Sequence, residues 1–342
     1  MKKRALFILA VVLSVFMAIP VYAADKKAAK AKKIKVGISL PTQRDERWVR
    51  DAEKMREVAK AEGIDIKMQV CDNDASKQMS QCENLLAQGI DVLILAPHDA
   101  TSAAAIVENA HAAGIKVISY DRLVLGTDVD LYISFDNLAV GKLMGEYLTK
   151  LVPKGNYIVL AGAPTDNNAK LYHDGALEMI KPLADKGDIK IVMDQWVTDW
   201  QPTVAMNLVQ NALTANNNKV DAVLAPNDNT AGGVIQALEL VGLAGKVPVT
   251  GQDAEVTAAQ RIMAGTQAMT VFKNTKDQAQ IAVETAVKIV NGDKYDTNAV
   301  VNNKKIDVPS ILLTPVVVDK SNLDKMLIDT GYITKEQVYG KK

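Results

Sequence analysis

Short apolar runs alternate with amphipathic stretches along almost the whole chain, and this alternation limits which folds the chain can adopt. A parallel strand that is covered on both faces has a short, continuous apolar sequence bounded by turn residues, so the apolar runs are predicted strands. The stretches at 46–62, 76–88 and 101–113 are predicted helices, each followed by a glycine, as left-handed helix ends favour. Repeated strand–helix units predict the α/β class with doubly wound parallel sheets.

The same alternation restarts near residue 138, so we predict two Rossmann-like lobes. A chain of 342 residues is long for one domain and comfortable for two. No low-complexity linker separates the two halves, which favours lobes that are joined by strand-like hinges. The strands are predicted at 34–40, 64–70, 92–96, 117–120, 157–161, 189–195, 222–225, 247–251, 268–272 and 311–318. The later helices are predicted at 138–151, 169–183, 202–215, 230–241, 256–264 and 276–291.

Five of the apolar runs end in a polar cluster, and these clusters are the predicted site of function. In open α/β sheets, ligands bind just beyond the carboxyl ends of the strands. The clusters hold acids, amides and an arginine, which are suited to binding a polar ligand. They lie at residues 97–99, 121–122, 165–168, 226–228 and 252–253.

The sequence offers little support for catalysis or for a bound cofactor. It has no Gly-x-Gly-x-x-Gly after a strand, no Walker loop and no Gly-x-Ser-x-Gly elbow, and its three histidines lack metal-site spacing. We therefore predict no cofactor, no metal and no enzymatic activity. A glycosidase would need two carboxylates flanking a bond, and Asp121, Asp166, Asp228 and Asp253 are of the right type, so a secreted sugar-processing enzyme stays open as an alternative. Lys plus Arg equals Asp plus Glu at 40 each, which gives no reason to expect a nucleic acid partner.

The N-terminus predicts export. Residues 1–23 have a basic start, an apolar core and the sequence Val-Tyr-Ala before a cleavage point, which is typical of a cleaved signal peptide; the alternative, a membrane anchor, would need a longer apolar core. Export favours a disulfide between the two cysteines, Cys71 and Cys82. Their predicted positions, at a strand end and inside the next helix, argue against it by separating them, so the sequence leaves the disulfide open.

Aromatic residues add to the case for a sugar ligand. A polyhydroxylated ring needs carboxylate acceptors and fixed donors, and its C–H face stacks on flat aromatic side chains. Trp48 follows the first strand, and Trp196 and Trp200 follow the strand at 189–195, so both lobes supply an indole near a strand end.

Several stretches together resemble the pulse-type periplasmic sugar-binding proteins, which are related to those for ribose and galactose. The resemblance covers nearly the whole chain after the signal peptide and rests on residues 46–48, 120–122, 132–137, 166–171, 194–196, 211–218, 227–228, 251–253, 270–273 and 307–310. It implies a monomeric, periplasmic substrate-binding subunit of an ABC importer, with a monosaccharide as ligand and the importer's permease subunits as partners. D-xylose is the implied sugar; another aldopentose or a furanose signal is the alternative.

The resemblance also implies lobe boundaries and site residues. Three crossings near 135–137, 268–273 and 313–318 would divide the chain into an N-terminal lobe (34–136 plus 273–311) and a C-terminal lobe (137–270 plus 312–338). His98 and Asp99 fall outside the family pattern, while Asp121 and Asp228 would support other residues. The residues implied to bind the ligand are Arg47, Trp48, Arg122, Asp166, Asn168, Trp200, Asn227, Asp253 and Lys273.

Overall fold

Strands and helices alternate through the first part of the chain, as the sequence pattern predicts. The computed structural model describes residues 33–340, and the predicted signal peptide at 1–23 lies outside this range. Gly63, Gly89 and Gly114, which follow the first three helices, have φ values of 72°, 69° and 74°, the left-handed conformation that ends a helix. The elements are β1 (Lys35–Leu40), α1 (Glu46–Glu62), β2 (Asp65–Val70), α2 (Ala75–Ala87), β3 (Val92–Leu95), α3 (Ala104–Ala112), β4 (Lys116–Tyr120) and β5 (Leu131–Phe135).

The second part of the chain continues the alternation and ends in three further strands. Among the described residues, no helix is both long enough and apolar enough to cross a membrane. The elements are α4 (Asn137–Leu151), β6 (Gly155–Ala161), α5 (Asn167–Asp185), β7 (Ile189–Trp196), α6 (Pro202–Ala215), β8 (Ala222–Leu224), α7 (Asp228–Glu239), α8 (Val256–Ala264), β9 (Met269–Phe272), α9 (Thr275–Asn291), β10 (Ala299–Asn302), β11 (Asp307–Leu313), β12 (Val316–Asp319) and α10 (Lys335–Tyr339).

The strands form two separate groups. The first is a seven-stranded sheet in the order β10-β11-β5-β4-β3-β1-β2, parallel except for the edge pair β10–β11. In the second group, β7-β6-β8 is parallel and β12-β9 is antiparallel. Isolated bridges from Val223 to Val249 and from Gln252 to Val271 connect these pieces through the segment at 247–252. The predicted α/β class with parallel sheets is confirmed, although the predicted strand at 247–251 makes only a bridge.

The chain passes between the two groups of strands at three places. These are the step from β5 to α4, the step from β9 to α9, and the turn between β11 and β12. On this sheet membership we propose the two-lobe division with the boundaries given above. One refinement is needed, because β11 pairs with β5 as far as Leu313 and so extends the N-terminal group to that residue.

Two differences from the predicted strands have a clear cause. The strand predicted at 311–318 is two strands, because Pro315 cannot donate a ladder hydrogen bond and the chain changes sheet at that point. Strand β5 was not predicted as a strand, because the polar side chains of Tyr132 and Ser134 interrupt its apolar run. Both are buried and donate hydrogen bonds to the backbone carbonyl of Asp121, at 2.8 and 2.7 Å.

Cys71 and Cys82 do not form the disulfide that export would favour. Both residues are buried free thiols. The Cys71 thiol lies 3.3 Å from the carbonyl oxygen of Pro41, whereas Cys82 packs in the apolar cluster between α2 and the sheet with Leu85 and Leu93. Each sulfur thus has its own environment, and burial raises the pKa of the Cys82 thiol to about 11.

Helices α4 and α5 pack unusually close, and this contact sets the position of the polar residues at the start of α5. A Cβ atom at Gly141 of α4 would lie 2.1 Å from the carbonyl oxygen of Tyr172. A Cβ atom at Gly175 of α5 would lie 2.3 Å from the carbonyl oxygen of Leu138. Only glycine permits this approach, because the obstructing atoms belong to the backbone and cannot rotate away.

We therefore expect Gly141→Ala to lower the free energy of unfolding by about 1–3 kcal/mol, the usual cost of overpacking. Alanine in an ordinary helix interior would instead stabilise by about 0.5–1 kcal/mol. Gly232→Ala in α7 is the matched control, since its Cβ would meet no backbone atom of another element and its nearest contact would be Arg261 Nη1, at 3.3 Å. Urea denaturation of both variants checks the prediction, and equal stability of the two would contradict it.

Asp228, at the start of α7, anchors the loop that follows residue 251. Its carboxylate accepts hydrogen bonds from Gln267 Nε2 at 2.7 Å, Thr270 Oγ1 at 2.9 Å and the backbone N–H of Glu255 at 3.1 Å. Burial raises its pKa to about 7, against the opposing effect of Arg261. The folded protein therefore holds a proton on Asp228 at pH values where the unfolded chain has lost it.

This raised pKa predicts a pH dependence of stability. Below pH 4 both states are protonated, and between pH 4 and 7 only the folded state keeps the proton, so the contribution of Asp228 to stability is lost as the pH rises. The loss is at most about 1.4 kcal/mol per pH unit. We expect the difference in unfolding free energy between wild type and Asp228→Asn to shrink from pH 5 to pH 7 in urea denaturation. A constant difference would mean that Asp228 is already ionised in the folded protein.

Candidate functional site

A cavity lies where the carboxyl ends of strands from both groups meet. All nine residues that the resemblance implies line it, although their role in binding stays a prediction. His98 and Asp99 do not line it. The lining residues are Asp45, Arg47, Trp48, Asp121, Arg122, Asp166, Asn168, Tyr172, Trp200, Asn227, Gln252, Asp253 and Lys273.

Each of these side chains reaches the cavity because a strand ends just before it. Arg47 and Trp48 lie in the first turn of α1, after β1, and Arg122 follows β4. Asp166 is the N-cap of α5, after β6, and accepts the backbone N–H of Asn168 at 2.9 Å. The second group of strands supplies the remaining residues in the same way: Trp200 after β7, Asn227 after β8, Asp253 after the bridge at 249, and Lys273 after β9.

Three lining residues have a left-handed backbone that side chains other than glycine rarely adopt. The φ values are 60° for Asp121, 57° for Trp200 and 99° for Asp253. Such a conformation costs on the order of 1–3 kcal/mol and persists only where the surroundings enforce it. At the cavity, this backbone directs two carboxylates and an indole into the lining.

The two indoles that line the cavity come from opposite groups of strands, and both are buried. Trp48 is 2% exposed and Trp200 is 6% exposed. The guanidinium carbon of Arg47 lies 4.2 Å from the centre of the Trp48 ring. Trp200 packs edge-on against Tyr172, and a Cβ at Gly162 would lie 2.1 Å from the Trp200 ring. Gly162 thus leaves the space that seats this indole.

The first cation of the cavity, Arg47, is fixed by two carboxylates. Its guanidinium donates to Asp121 at 2.6 Å and to Asp51 at 2.7 Å. Burial opposes the charge of Arg47, but Asp121 and Asp51 outweigh it and raise its pKa. Burial likewise opposes ionisation of Asp121, and Arg47 with Lys273 outweighs it and lowers the pKa of this carboxyl. The two groups therefore form a charged pair.

The other two cations are also paired. Arg122 Nε lies 2.8 Å from Asp166 Oδ2 and so connects the end of β4 to the start of α5. Lys273 Nζ lies 2.9 Å from Asp253 Oδ1 and donates to the hydroxyl of Tyr172 at 3.2 Å. Lys273 is 1% exposed, so sequence reasoning without the resemblance, which would make it a surface lysine, is wrong about its environment.

Three buried polar atoms of lining residues have no hydrogen-bond partner within the described chain. They are Nε of Arg47, the indole N–H of Trp200 and Oε1 of Gln252. Asp253 Oδ1 has its ion pair with Lys273 but no aligned hydrogen bond. An unsatisfied buried polar group costs about 1–3 kcal/mol. Hydroxyl groups, which both donate and accept, could satisfy these four atoms.

Sequence reasoning missed part of the lining. Tyr172 lies one helical turn after Asn168 on α5, so the i, i+4 spacing could have identified it. Gln252 stood in a strand-end cluster beside Asp253 and was passed over. Asp121, implied to support other residues, pairs with Arg47 and also lines the cavity itself. Nothing in the sequence indicates that Asp45 lines the cavity, because an aspartate directly before a helix is common as an N-cap.

Comparison with known proteins agrees with this geometry. Residues 36–294 match the family model of the periplasmic binding protein domain. The D-xylose-binding periplasmic protein of Escherichia coli (strain K12) is 45% identical over 305 residues, covering 89% of this chain and 92% of that protein. The D-xylose-binding periplasmic protein of Haemophilus influenzae is 43% identical over 312 residues, covering 91% of this chain and 94% of that protein.

A solved structure is similar over almost the same length. It is the carbohydrate transporter solute-binding protein from Chloroflexus aurantiacus in complex with D-glucose, with a TM-score of 0.84 and 36% identity, covering 90% of this chain and 98% of that one. These relatives are named as binding proteins and not as enzymes. The chain belongs to the periplasmic binding protein domain family.

Proposed function

We propose that this chain is the sugar-binding subunit of an ABC importer and that it binds a monosaccharide in the cavity between its two groups of strands. The sugar that we propose it binds most tightly is D-xylose. The observation that carries the proposal is the lining itself: two buried indoles, three fixed cations, and buried polar atoms that hydroxyl groups could satisfy. D-xylose is favoured because two relatives at 45% and 43% identity are named for it.

The proposed contacts follow from the chemistry of each group. Arg47, Arg122 and Lys273 donate to ring hydroxyls, and Asp166 and Asp253 accept from them. Asn168 and Asn227 are the other two polar residues proposed to contact the ligand. Asn227 uses its Oδ1 to accept the backbone N–H of Thr230 at 2.9 Å, so its amide hydrogens are the groups that it can offer a ligand. Trp48 and Trp200 stack on the two faces of the ring.

We further propose that binding and release occur by opening and closing of the two lobes. The two sides touch directly, through the ion pair of Arg122 with Asp166 and through a hydrogen bond from the Val256 N–H to Glu46 Oε2 at 2.9 Å. A ligand that contacts both sides shifts the equilibrium towards this closed arrangement, which the permease of the importer would recognise. Export to the periplasm and a monomeric state belong to the same proposal.

Isothermal titration of ligand-free protein with D-xylose, D-ribose, L-arabinose and D-glucose tests the proposed ligand. We expect D-xylose to bind at least about tenfold more tightly than the other three, a difference of about 1.4 kcal/mol. Tighter binding of another pentose or of D-glucose would keep the importer function and change the ligand. Absence of heat with every sugar would contradict the proposal, and conversion of D-xylose after long incubation would favour the sugar-processing enzyme.

Two variants test the proposed contacts. Asp253→Asn removes the charge of an acceptor, and Trp48→Leu removes the flat face while keeping an apolar side chain. We expect each variant to weaken binding of D-xylose by about tenfold or more. The matched control is Trp196→Leu, because Trp196 is 38% exposed and lies outside the cavity lining. Unchanged affinity in both site variants would refute the contacts, and circular dichroism confirms that each variant is folded.

A further inference from the structure

Asp45 occupies the N-cap position of α1 but does not cap the helix. Its backbone has the extended conformation of an N-cap residue, with φ −85° and ψ 131°, yet its side chain accepts no hydrogen bond from the first turn. The other N-cap aspartates of the described helices, Asp74, Asp136 and Asp166, each accept a backbone N–H. A cap of this kind stabilises a helix by about 1 kcal/mol. The side chain of Asp45 is therefore used elsewhere.

The carboxylate of Asp45 turns into the cavity and towards the opposite group of strands. Asp45 lines the cavity and is 4% exposed. Its Oδ1 accepts a hydrogen bond from Asn229 Nδ2 at 2.6 Å, and Asn229 lies in the first turn of α7. Oδ2 accepts no hydrogen bond from residues 33–340. One oxygen is thus engaged across the cavity, and the second remains available as an acceptor.

The charges of the lining make Asp45 the acid that has no cation within the cavity. The lining contains the carboxylates of residues 45, 121, 166 and 253 and the cations of residues 47, 122 and 273. Each of the three cations lies within 2.9 Å of a carboxylate other than Asp45. The cation beside Asp45 is Arg44, whose Nε is 3.6 Å from Oδ1 and whose side chain is 35% exposed. Burial raises the pKa of Asp45, so a hydrogen-bond donor in the cavity would relieve a cost that the present contacts leave.

We propose that Asp45 is a further ligand-binding residue, whose Oδ2 accepts a hydrogen bond from one hydroxyl of the bound sugar while Oδ1 holds Asn229. This inference rests on the proposed function and adds an acceptor from the first lobe, whereas Oε1 of Gln252, a lining acceptor without a hydrogen-bond partner, belongs to the second. The ligand, Asp45 and Asn229 then form one continuous bridge across the cavity. Asp45 is a contact that selects for the sugar carrying a hydroxyl at that position.

The test is a cycle between variants and deoxy sugars, measured by isothermal titration. The ligands are D-xylose and its four analogues that each lack one hydroxyl, and the proteins are wild type, Asp45→Ala and Asn229→Ala. We expect one hydroxyl whose removal weakens binding to wild type by at least about tenfold, as for hydrogen bonds to charged groups. In Asp45→Ala, removal of that same hydroxyl should weaken binding by less than about twofold. Removal of each of the other three hydroxyls should weaken binding by the same factor as in wild type.

Asn229→Ala separates the sugar contact from the bridge between lobes. It removes the partner of Oδ1 and leaves Oδ2 in place, so the selected hydroxyl should keep its full effect on affinity. Asp45→Asn is the second variant if Asp45→Ala is poorly folded. Its amide oxygen can still accept from Asn229, and its amide nitrogen replaces the acceptor Oδ2. For that variant we expect D-xylose to bind about five- to tenfold more weakly, with the effect again confined to one hydroxyl.

The outcomes distinguish this inference from the proposed function. If all four hydroxyls have the same effect in wild type and in both Asp45 variants, then Asp45 only holds the lobes together and the inference is wrong, while the sugar-binding function stands. If wild type itself gives no heat with D-xylose or with the other sugars, the proposed function fails first and the inference fails with it.

Discussion

Asp121 connects more of the cavity than any other single residue that we describe. Its carboxylate pairs with Arg47 of α1, and its backbone carbonyl accepts hydrogen bonds from Tyr132 and Ser134 of β5 and from Asn168 of α5, the last at 2.9 Å. These donors come from both groups of strands. Asp121 makes these contacts with a left-handed backbone, φ 60°, which side chains other than glycine rarely adopt. The position of the first cation and the contact between the two sides therefore depend on one strained residue.

The pairing of each cation with a carboxylate explains how the site can be both buried and highly charged. An isolated ion in such a place would lose several kcal/mol of hydration, and removing one partner of a buried pair typically costs about 3–5 kcal/mol. In return, the donors are held in place before any ligand enters. Ordering a long side chain on binding costs about 0.5–1.5 kcal/mol, and here that cost is met when the protein folds. The charged donors of the site are therefore held in place by the carboxylates with which they pair.

The sequence was informative at the ends of strands. A short apolar run predicts each strand, and in a parallel sheet the residues that follow the strands lie at the same edge. Helix α1 was predicted with its observed bounds, and Arg122, Asn227 and Asp253 could be named as candidates from position alone. Reasoning failed where tertiary contacts override local pattern. The polar side chains of β5 bond to Asp121 within the core, so no apolar run marked that strand. Likewise, nothing local to Asp45 indicates that its carboxylate faces Asn229, which lies 184 positions away in the sequence.

The two short helices α7 and α8 begin side by side against the start of α1, and this meeting of helix N-termini has an electrostatic consequence. Backbone N–H groups at a helix start attract negative charge. Glu46 makes such a contact between the two lobes: its Oε2 accepts a hydrogen bond from the backbone N–H of Val256 at the start of α8. Glu255, the N-cap of α8, has an Oε1 that is buried without a partner, and burial with the neighbouring carboxylates of Asp228 and Asp253 raises its pKa well above the usual value. Burial thus raises the pKa of two acids at this contact, Asp228 and Glu255, while the Glu46 carboxylate contacts a helix start and Arg50. Protons on these two buried carboxyl groups reduce the repulsion between the acids that lie at the starts of α1, α7 and α8.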